Sequence, residues 1–316
     1  MECKSQVIKI TSPSFSKNEH LVKETLKYFP NTCFNANGHE LKEEELIAFL
    51  SDADGAIVSL NKIDGALLDN CPNLKIISKY GVGLDNIDLD ACRKRGVEVA
   101  WNPGTNKRSV AEETLCLMIG LCRNVIPSSY KLKSGKWDKS GGYQLSGKKV
   151  GIIGVGNVGK DLISLLKPFG CQILVNDIID QSSYYRENNL TESSKEEIFR
   201  NADIITIHVP LNKETRYLIN SNTLNMMRPT SYLINTSRGH IVNQEDLKKA
   251  LIEKRIAGAA LDVYEVEPPL ERESDRELLA LPNLVCTPHI GGSSLEGVVG
   301  MGMSAINGLV DYFSKK

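Results

Sequence analysis

At 316 residues and 41% apolar content, the chain can bury one large core or, more readily, two smaller ones, so two domains are expected. Its 38 basic and 39 acidic side chains are interspersed and leave a formal net charge of −1, which offers no electrostatic footprint for nucleic acid or an anionic membrane and favours small-molecule chemistry. No apolar run approaches about 18 residues and the first ten residues lack a signal-peptide core, so a soluble cytoplasmic protein is expected.

The first hundred residues alternate short β-branched runs with polar amphipathic stretches. Val7 to Ile10, Gly55 to Leu60, Leu74 to Ser78 and Val97 to Ala100 read as strands; Lys17 to Phe29, Lys42 to Leu50, Asp64 to Leu68 and Asp88 to Arg95 read as helices. Repeated βα units predict a parallel sheet covered on both faces. After the third strand comes Lys79-Tyr80-Gly81-Val82-Gly83-Leu84-Asp85-Asn86. Its two glycines can present N–H groups to an anion, or the segment is a plain βα turn with Asp85 as a helix cap. Ser109 to Leu121 is a capped helix with a nearly continuous apolar stripe that both of its sides must cover, and residues 127 to 148 read as a polar connection.

From Lys149 the signal sharpens. A strand (Val150 to Ile153) runs through Gly154-Val155-Gly156-Asn157-Val158-Gly159 into an amphipathic helix, and a second strand (Ile173 to Val175) ends at Asp177, 23 residues after Gly154. The spacing fits an adenine dinucleotide: Gly154 allows the turn, Gly156 admits a pyrophosphate, Gly159 permits close helix–strand packing, and the helix N-terminus attracts the anion. Asp177 would accept hydrogen bonds from the ribose hydroxyls. Ile178 follows it and no basic residue appears before Arg186, so NAD is read in preference to NADP.

Further strand and helix stretches follow: a helix at Ser193 to Asn201, strands at Asp203 to Val209, Ser231 to Thr236 and Ala257 to Val263, and a helix at Asn243 to Lys254 with Leu247, Leu251 and Ile252 inward. At least five parallel strands are expected from Val150 on, in a doubly wound arrangement. Three polar groups stand after late strands: Arg238, Glu267 and His289. Arg binds a carboxylate through two parallel bonds, His gives a proton to an oxygen as hydride reaches carbon, and a neighbouring carboxylate orients and tunes the His. Arg238 is therefore assigned to clamping a 2-keto acid, His289 to acid–base work and Glu267 to tuning it. The eight cysteines, Cys3, Cys33, Cys71, Cys92, Cys116, Cys122, Cys171 and Cys286, show no zinc-binding spacing; no metal is expected, and they read as core-filling thiols.

The sequence resembles the D-isomer-specific 2-hydroxyacid dehydrogenase family over nearly its whole length. The likeness is carried by Gly81 to Asp88 (GVGLDNID), Asn102-Pro103-Gly104 with Ser109-Val110-Ala111-Glu112, Gly135 with Trp137, Gly147 through Gly159, His208 to Leu211, Asn235 through Gly239, Asp262 through Pro269, and Pro288 through Gly291. The resemblance implies an α/β fold in which a Rossmann NAD-binding domain (103–285) is inserted in a discontinuous flavodoxin-like substrate domain (1–102 and 286–316), the final helix, Ser293 to Phe313, returning to the N-terminal part. It implies the catalytic set Arg238, Glu267 and His289. It places NAD near Gly154, Gly156, Asn157, Val158, Gly159, Asp177, Val209, Thr236 and Val82, with Asp262 on the nicotinamide carboxamide. Substrate carboxylate would meet the backbone of Gly81, Val82 and Gly83, with Lys79 and Arg238 also counted among the substrate-binding residues. A homodimer joined through the nucleotide domain is implied as well.

Reversible hydride transfer between NAD(H) and C2 of a small 2-keto or 2-hydroxy acid is the expected activity. Two other readings go with the likeness. Phosphoglycerate dehydrogenase is one, although Ser59 and Asn61 stand where those enzymes carry a phosphate-binding Arg, leaving Lys79 or Lys62 to supply the charge. A dinucleotide-sensing corepressor-like binding protein is the other.

Overall fold

Two all-parallel sheets organise the chain in the computed structural model, which describes residues 5–315. Each belongs to its own unit: one comprises residues up to Asn106 together with those from Gly292 onward, the other runs from Lys107 to Gly291. These borders lie a few residues beyond 102/103 and 285/286.

The first unit runs β1 (Ile8–Ile10), α1 (Pro13–Ser16), α2 (Glu19–Tyr28), β2 (Thr32–Phe34), α3 (Glu43–Leu50), β3 (Gly55–Val58), α4 (Gly65–Asp69), β4 (Ile76–Lys79), α5 (Leu89–Lys94) and β5 (Glu98–Ala100). Strand order is β2-β1-β3-β4-β5, the flavodoxin-like order. Strands β3 and β4 are buried at every residue, as inner strands covered on both faces require, and β3 accordingly reads as an unbroken apolar run. β2 has no such pattern, lies at the sheet edge, and was not foreseen. Asp88, not Asp85, caps α5, its side chain accepting from the Ala91 amide.

The final helix, Leu295–Ser314, packs on α2, β3, β4 and β5 of this unit. Small residues let it approach: a Cβ on Gly302 would fall 2.3 Å from Leu21 Cδ1, and one on Gly308 would fall 2.7 Å from Ala100 Cβ. Ser78 Oγ donates to the Ala305 carbonyl at 2.7 Å, so even the polar contact is backbone-close. Ile306 and Leu309 are fully buried here, each worth about 1.5–3 kcal/mol of apolar burial.

The second unit opens with α6 (Lys107–Cys122) and α7 (Val125–Lys133), then β6 (Lys149–Ile153), α8 (Asn157–Leu166), β7 (Gln172–Asn176), α9 (Ser182–Glu187), β8 (Thr191–Glu192), α10 (Lys195–Asn201), β9 (Ile204–Ile207), α11 (Ser221–Met226), β10 (Tyr232–Asn235), α12 (Gln244–Ile252), β11 (Gly258–Leu261), α13 (Glu273–Leu279) and β12 (Leu284–Cys286). Its seven strands take the order β12-β11-β10-β9-β6-β7-β8. Reversal of strand order between β6 and β9 creates the switch point at which doubly wound sheets hold ligands.

Some expectations fail here. The polar connection contains a nine-residue helix, α7, none of whose residues is buried. α6 buries one face, against α8, β10 and β11, while Glu112 and Cys116 on the other side are exposed. Ile252 points outward at 60% exposure, because α12 ends there and its buried stripe is Gln244, Leu247, Ala250 and Leu251. Cys71, Cys92 and Cys122 do fill cores, but Cys33 and Cys116 are exposed and Cys171 and Cys286 half-buried. Cys3 lies outside the described residues.

Candidate active site

The glycine bend between β6 and α8 uses each glycine differently. Gly154 has φ +96°, and a Cβ there would sit 2.4 Å from the His208 carbonyl oxygen. A Cβ on Gly159 would sit 2.3 Å from the Gly154 carbonyl, so this residue sets how closely helix and strand pack. A Cβ on Gly156 would meet open space. Nothing in the protein's own packing therefore requires Gly156, which is what a backbone kept clear for a ligand looks like. Gly156 is also the N-cap of α8 and no side chain caps that helix, so the first N–H groups, at Asn157 and Val158, are left to an anion.

Asp177 follows β7. Its carboxylate accepts from the Val155 amide at 2.6 Å and the Ile179 amide at 2.9 Å, which fixes it beside the bend. Ile178 next to it is 92% exposed. Val209 packs against the bend on the far side, its Cγ1 2.9 Å from where a Cβ on Gly154 would be. These residues fit an adenine dinucleotide. His208, one residue earlier, contacts Thr206 Oγ1 at 3.0 Å, and burial lowers its pKa to about 4. It stays neutral and is unsuited to donate a proton near pH 7.

His289 is the histidine with the opposite setting. Its Nδ1 lies 2.7 Å from Glu267 Oε2, and its side chain keeps 37% exposure. The bond to Glu267 raises its pKa, burial opposes, and the negative charges of Glu267 and Asp262 outweigh the opposition from Arg238. Burial alone would push Glu267 upward, yet the His289 bond and charge, the Tyr264 amide on Oε1 (3.0 Å) and the Arg238 charge hold it below the usual carboxylate range. With Nδ1 committed to Glu267, Nε2 is the nitrogen left for a substrate oxygen.

Arg238 is brought to this pair by a close backbone contact. Asn235, fully buried, accepts from the Ser237 amide and donates to the Arg238 carbonyl, bracing the loop. Gly239 then lies against Tyr264. Arg238 Nη1 donates to the Ser237 carbonyl at 2.6 Å. Thr236 shares a 3.0 Å hydroxyl contact with Thr114 of α6.

Asp262 shapes the loop that carries His289. Its carboxylate accepts from the Thr287 hydroxyl (2.7 Å) and the amides of Ile290 (2.8 Å) and Gly291 (2.9 Å). His289 itself sits at φ +55°, a left-handed conformation unusual outside glycine, and consecutive amides after such a residue make a concavity for an anion. Asp262 is that anion. Beneath it lies Glu113 of α6, a residue the sequence reading passed over. The signal was there: position 113 falls three after Val110 and four before Leu117, both buried, so a carboxylate stands on an apolar stripe.

In the first unit, Gly81 has φ +136° and follows β4, the place where Lys79 is buried. Lys79 Nζ donates to the Ser59 carbonyl and to Asn86 Oδ1 (2.7 Å), and Asn86 Nδ2 donates to the Ser59 and Asn61 carbonyls. The Val82 carbonyl accepts from Trp101 Nε1 at 2.7 Å. Lys79 thus ties down strand ends with its ammonium.

Fold and site together define an NAD-dependent oxidoreductase built on a Rossmann domain. Residues 115–291 match the D-isomer specific 2-hydroxyacid dehydrogenase, NAD binding domain, and the chain belongs to that family. It is 33% identical over 293 residues to a hydroxypyruvate reductase of Thermotoga maritima, covering 92% of this chain and 94% of the relative. A glyoxylate reductase of Thermofilum pendens is 37% identical over 293 residues, 88% of this chain and 85% of that one. Among solved structures, D-lactate dehydrogenase from Aquifex aeolicus, complexed with NAD and lactic acid, has a TM-score of 0.84 at 26% identity, covering 98% of this chain and 95% of that one.

Proposed function

We propose that the protein reduces a small, unphosphorylated 2-keto acid such as glyoxylate or hydroxypyruvate to the D-2-hydroxy acid with NADH, reversibly. The single observation that carries this reading is the 2.7 Å contact between His289 Nδ1 and Glu267 Oε2, which supplies a proton donor with a raised pKa. When bound at the glycine bend, the dinucleotide supplies the hydride. Arg238 then holds the substrate carboxylate and polarises the carbonyl. His289 Nε2–H donates its proton to the carbonyl oxygen as C2 gains hydride, leaving neutral imidazole; Glu267 keeps the ring oriented and stabilises the imidazolium that starts the cycle. Oxidation runs the same path backward, with His289 as base.

Lys79, engaged with Ser59 and Asn86, disfavours a phosphorylated substrate. The exposed Ile178 after Asp177 supports NAD over NADP, since a carboxylate followed by an apolar side chain offers a 2′-phosphate no positive charge. Free thiols at all seven described cysteines support a reducing cytoplasm, and no helix among the described residues is long and apolar enough to cross a membrane. The exposed apolar side chains Val125, Ile126, Tyr130 and Leu132 of α7, with Trp137 and Tyr143 beyond it, support a homodimer through the nucleotide unit, a second copy covering this patch.

Steady-state NADH oxidation with glyoxylate, hydroxypyruvate, pyruvate and phosphohydroxypyruvate tests the assignment. Turnover with one of the first three, well above the phosphorylated acid, is the expected result. Preference for phosphohydroxypyruvate would restore the phosphoglycerate reading, and tight NADH binding without turnover would favour the sensor.

A further inference from the structure

We propose that Glu113 is a positioning residue of the acid–base site: its buried carboxyl carries the proton of a Glu113–Asp262 pair and so sets the charge beneath His289. This rests on reading His289 as the proton donor.

The geometry is specific. Both Glu113 oxygens are buried beside the Thr287 hydroxyl and the Asp262 carboxyl, without a well-aligned hydrogen bond to either. A Cβ on Gly291 would lie 2.6 Å from Glu113 Oε2 and 3.1 Å from Asp262 Oδ2, so the two carboxyls converge on one point under the His289 loop. Two carboxylates meeting in a buried place cannot both keep their charge cheaply; one retains a proton. Three donors are aimed at Asp262, from Thr287, Ile290 and Gly291, and they select it to hold the negative charge. The Thr287 hydroxyl also faces Glu113 and favours its charge, but its proton is directed at Asp262, 2.7 Å away. Glu113, buried and with no well-aligned donor, is left with the proton.

The charged groups facing Glu113 are Asp262 from the end of β11 and His289 from the loop after β12, and that loop also brings the Thr287 hydroxyl. Burial, followed by the Asp262 charge, raises the Glu113 pKa to about 7, while the Thr287 hydroxyl and then the His289 charge oppose the rise. Glu113 is therefore neutral in mild acid and gains charge as pH passes neutrality. That second negative charge, appearing behind Asp262, attracts the imidazolium proton and keeps His289 protonated to higher pH. A dehydrogenase working in the reductive direction holds its proton donor charged over a wider range as a result.

The test is a titration of His289 in protein labelled with ¹⁵N-histidine, its signal assigned by loss in His289→Gln. Glu113→Gln is expected to lower the His289 midpoint by about half a pH unit or more, because the delayed negative charge never forms. Glu113→Leu, of similar volume and without polar atoms, should give the same displacement and serves if the Gln variant folds poorly. In steady state, the alkaline limb of kcat/KM for keto-acid reduction should move to lower pH by the same amount, with activity near pH 6 within about twofold of wild type. An unchanged His289 midpoint in both variants, or an activity loss equal at every pH, would overturn the proposal. The titration reads His289 without turnover, so a wild type inactive on every 2-keto acid would sink the proposed reaction while leaving this coupling measurable.

Discussion

Gly239 lies so close to Tyr264 that a Cβ on the glycine would fall 1.9 Å from the tyrosine's backbone carbonyl. The contact joins the loop after β10 to the segment after β11, and those two stretches carry Arg238 and Glu267. Gly239→Ala must push them apart. We expect it to destabilise the fold by about 1–3 kcal/mol, as overpacking does, and to lower kcat/KM for the 2-keto acid while NADH affinity, set at the glycine bend, changes little. Thermal melts with NADH titrations check both halves; a variant with wild-type kcat/KM would mean the approach does not position Arg238.

Glu267→Gln should keep the shape of the pair and remove its charge. The His289 pKa then falls toward 6.5, the alkaline limb of the reductive profile moves to lower pH, and kcat drops by roughly 10²-fold or more. The accompanying stability effect has a defined sign. Because the folded value of His289 is raised, its contribution is complete below about pH 6.5 and is lost as pH climbs through the folded value. Melting the variant and wild type at pH 5.5 and pH 9 should show the gap shrinking at the higher pH.

Gly156 and Gly159 separate ligand from packing. Gly156→Ala meets open space, so the melting temperature should change little while NADH affinity falls; Gly159→Ala drives a methyl to 2.3 Å of the Gly154 carbonyl and should lower both. Calorimetric NADH titration beside differential scanning calorimetry distinguishes the two. Unaltered NADH binding by Gly156→Ala would argue against a pyrophosphate at the bend.

Glu113 leaves its mark on stability too. Folding raises its pKa from the ordinary 4.5 to about 7, so folding disfavours its charged form and stability falls as pH rises from about 4.5 through 7, levelling above that. Glu113→Gln lacks this penalty. Its melting temperature relative to wild type should therefore rise between pH 5 and pH 8, and a constant difference would count against a displaced Glu113 titration.

Much of this site is local in sequence. The glycine spacing from Gly154 to Gly159, with Asp177 at the end of the next strand, is a property of one βαβ unit, and a sheet of parallel strands delivers Arg238, Glu267 and His289 to loops at a common edge. Residue types and positions alone were enough to nominate them. The chain could not disclose what covers each element. Periodicity aims Ile252 inward, but α12 ends before anything packs on it; α7 lies in a stretch rich in turn residues; β2 forms at a sheet edge with no apolar pattern to announce it.

The chain by itself determined the βα alternation and the glycine turn between β6 and α8, and it was enough to nominate three polar groups for the chemistry, because each depends on neighbours a few residues away. Tertiary structure alone decided that Gly239 abuts Tyr264, that Asp262 holds the His289 loop through two amides and a hydroxyl, and that Glu113 reaches the same point from a helix about 150 residues earlier in the chain. Those relations are contacts between distant segments, and the charge on a buried carboxyl follows from what surrounds it in space, which no local pattern encodes.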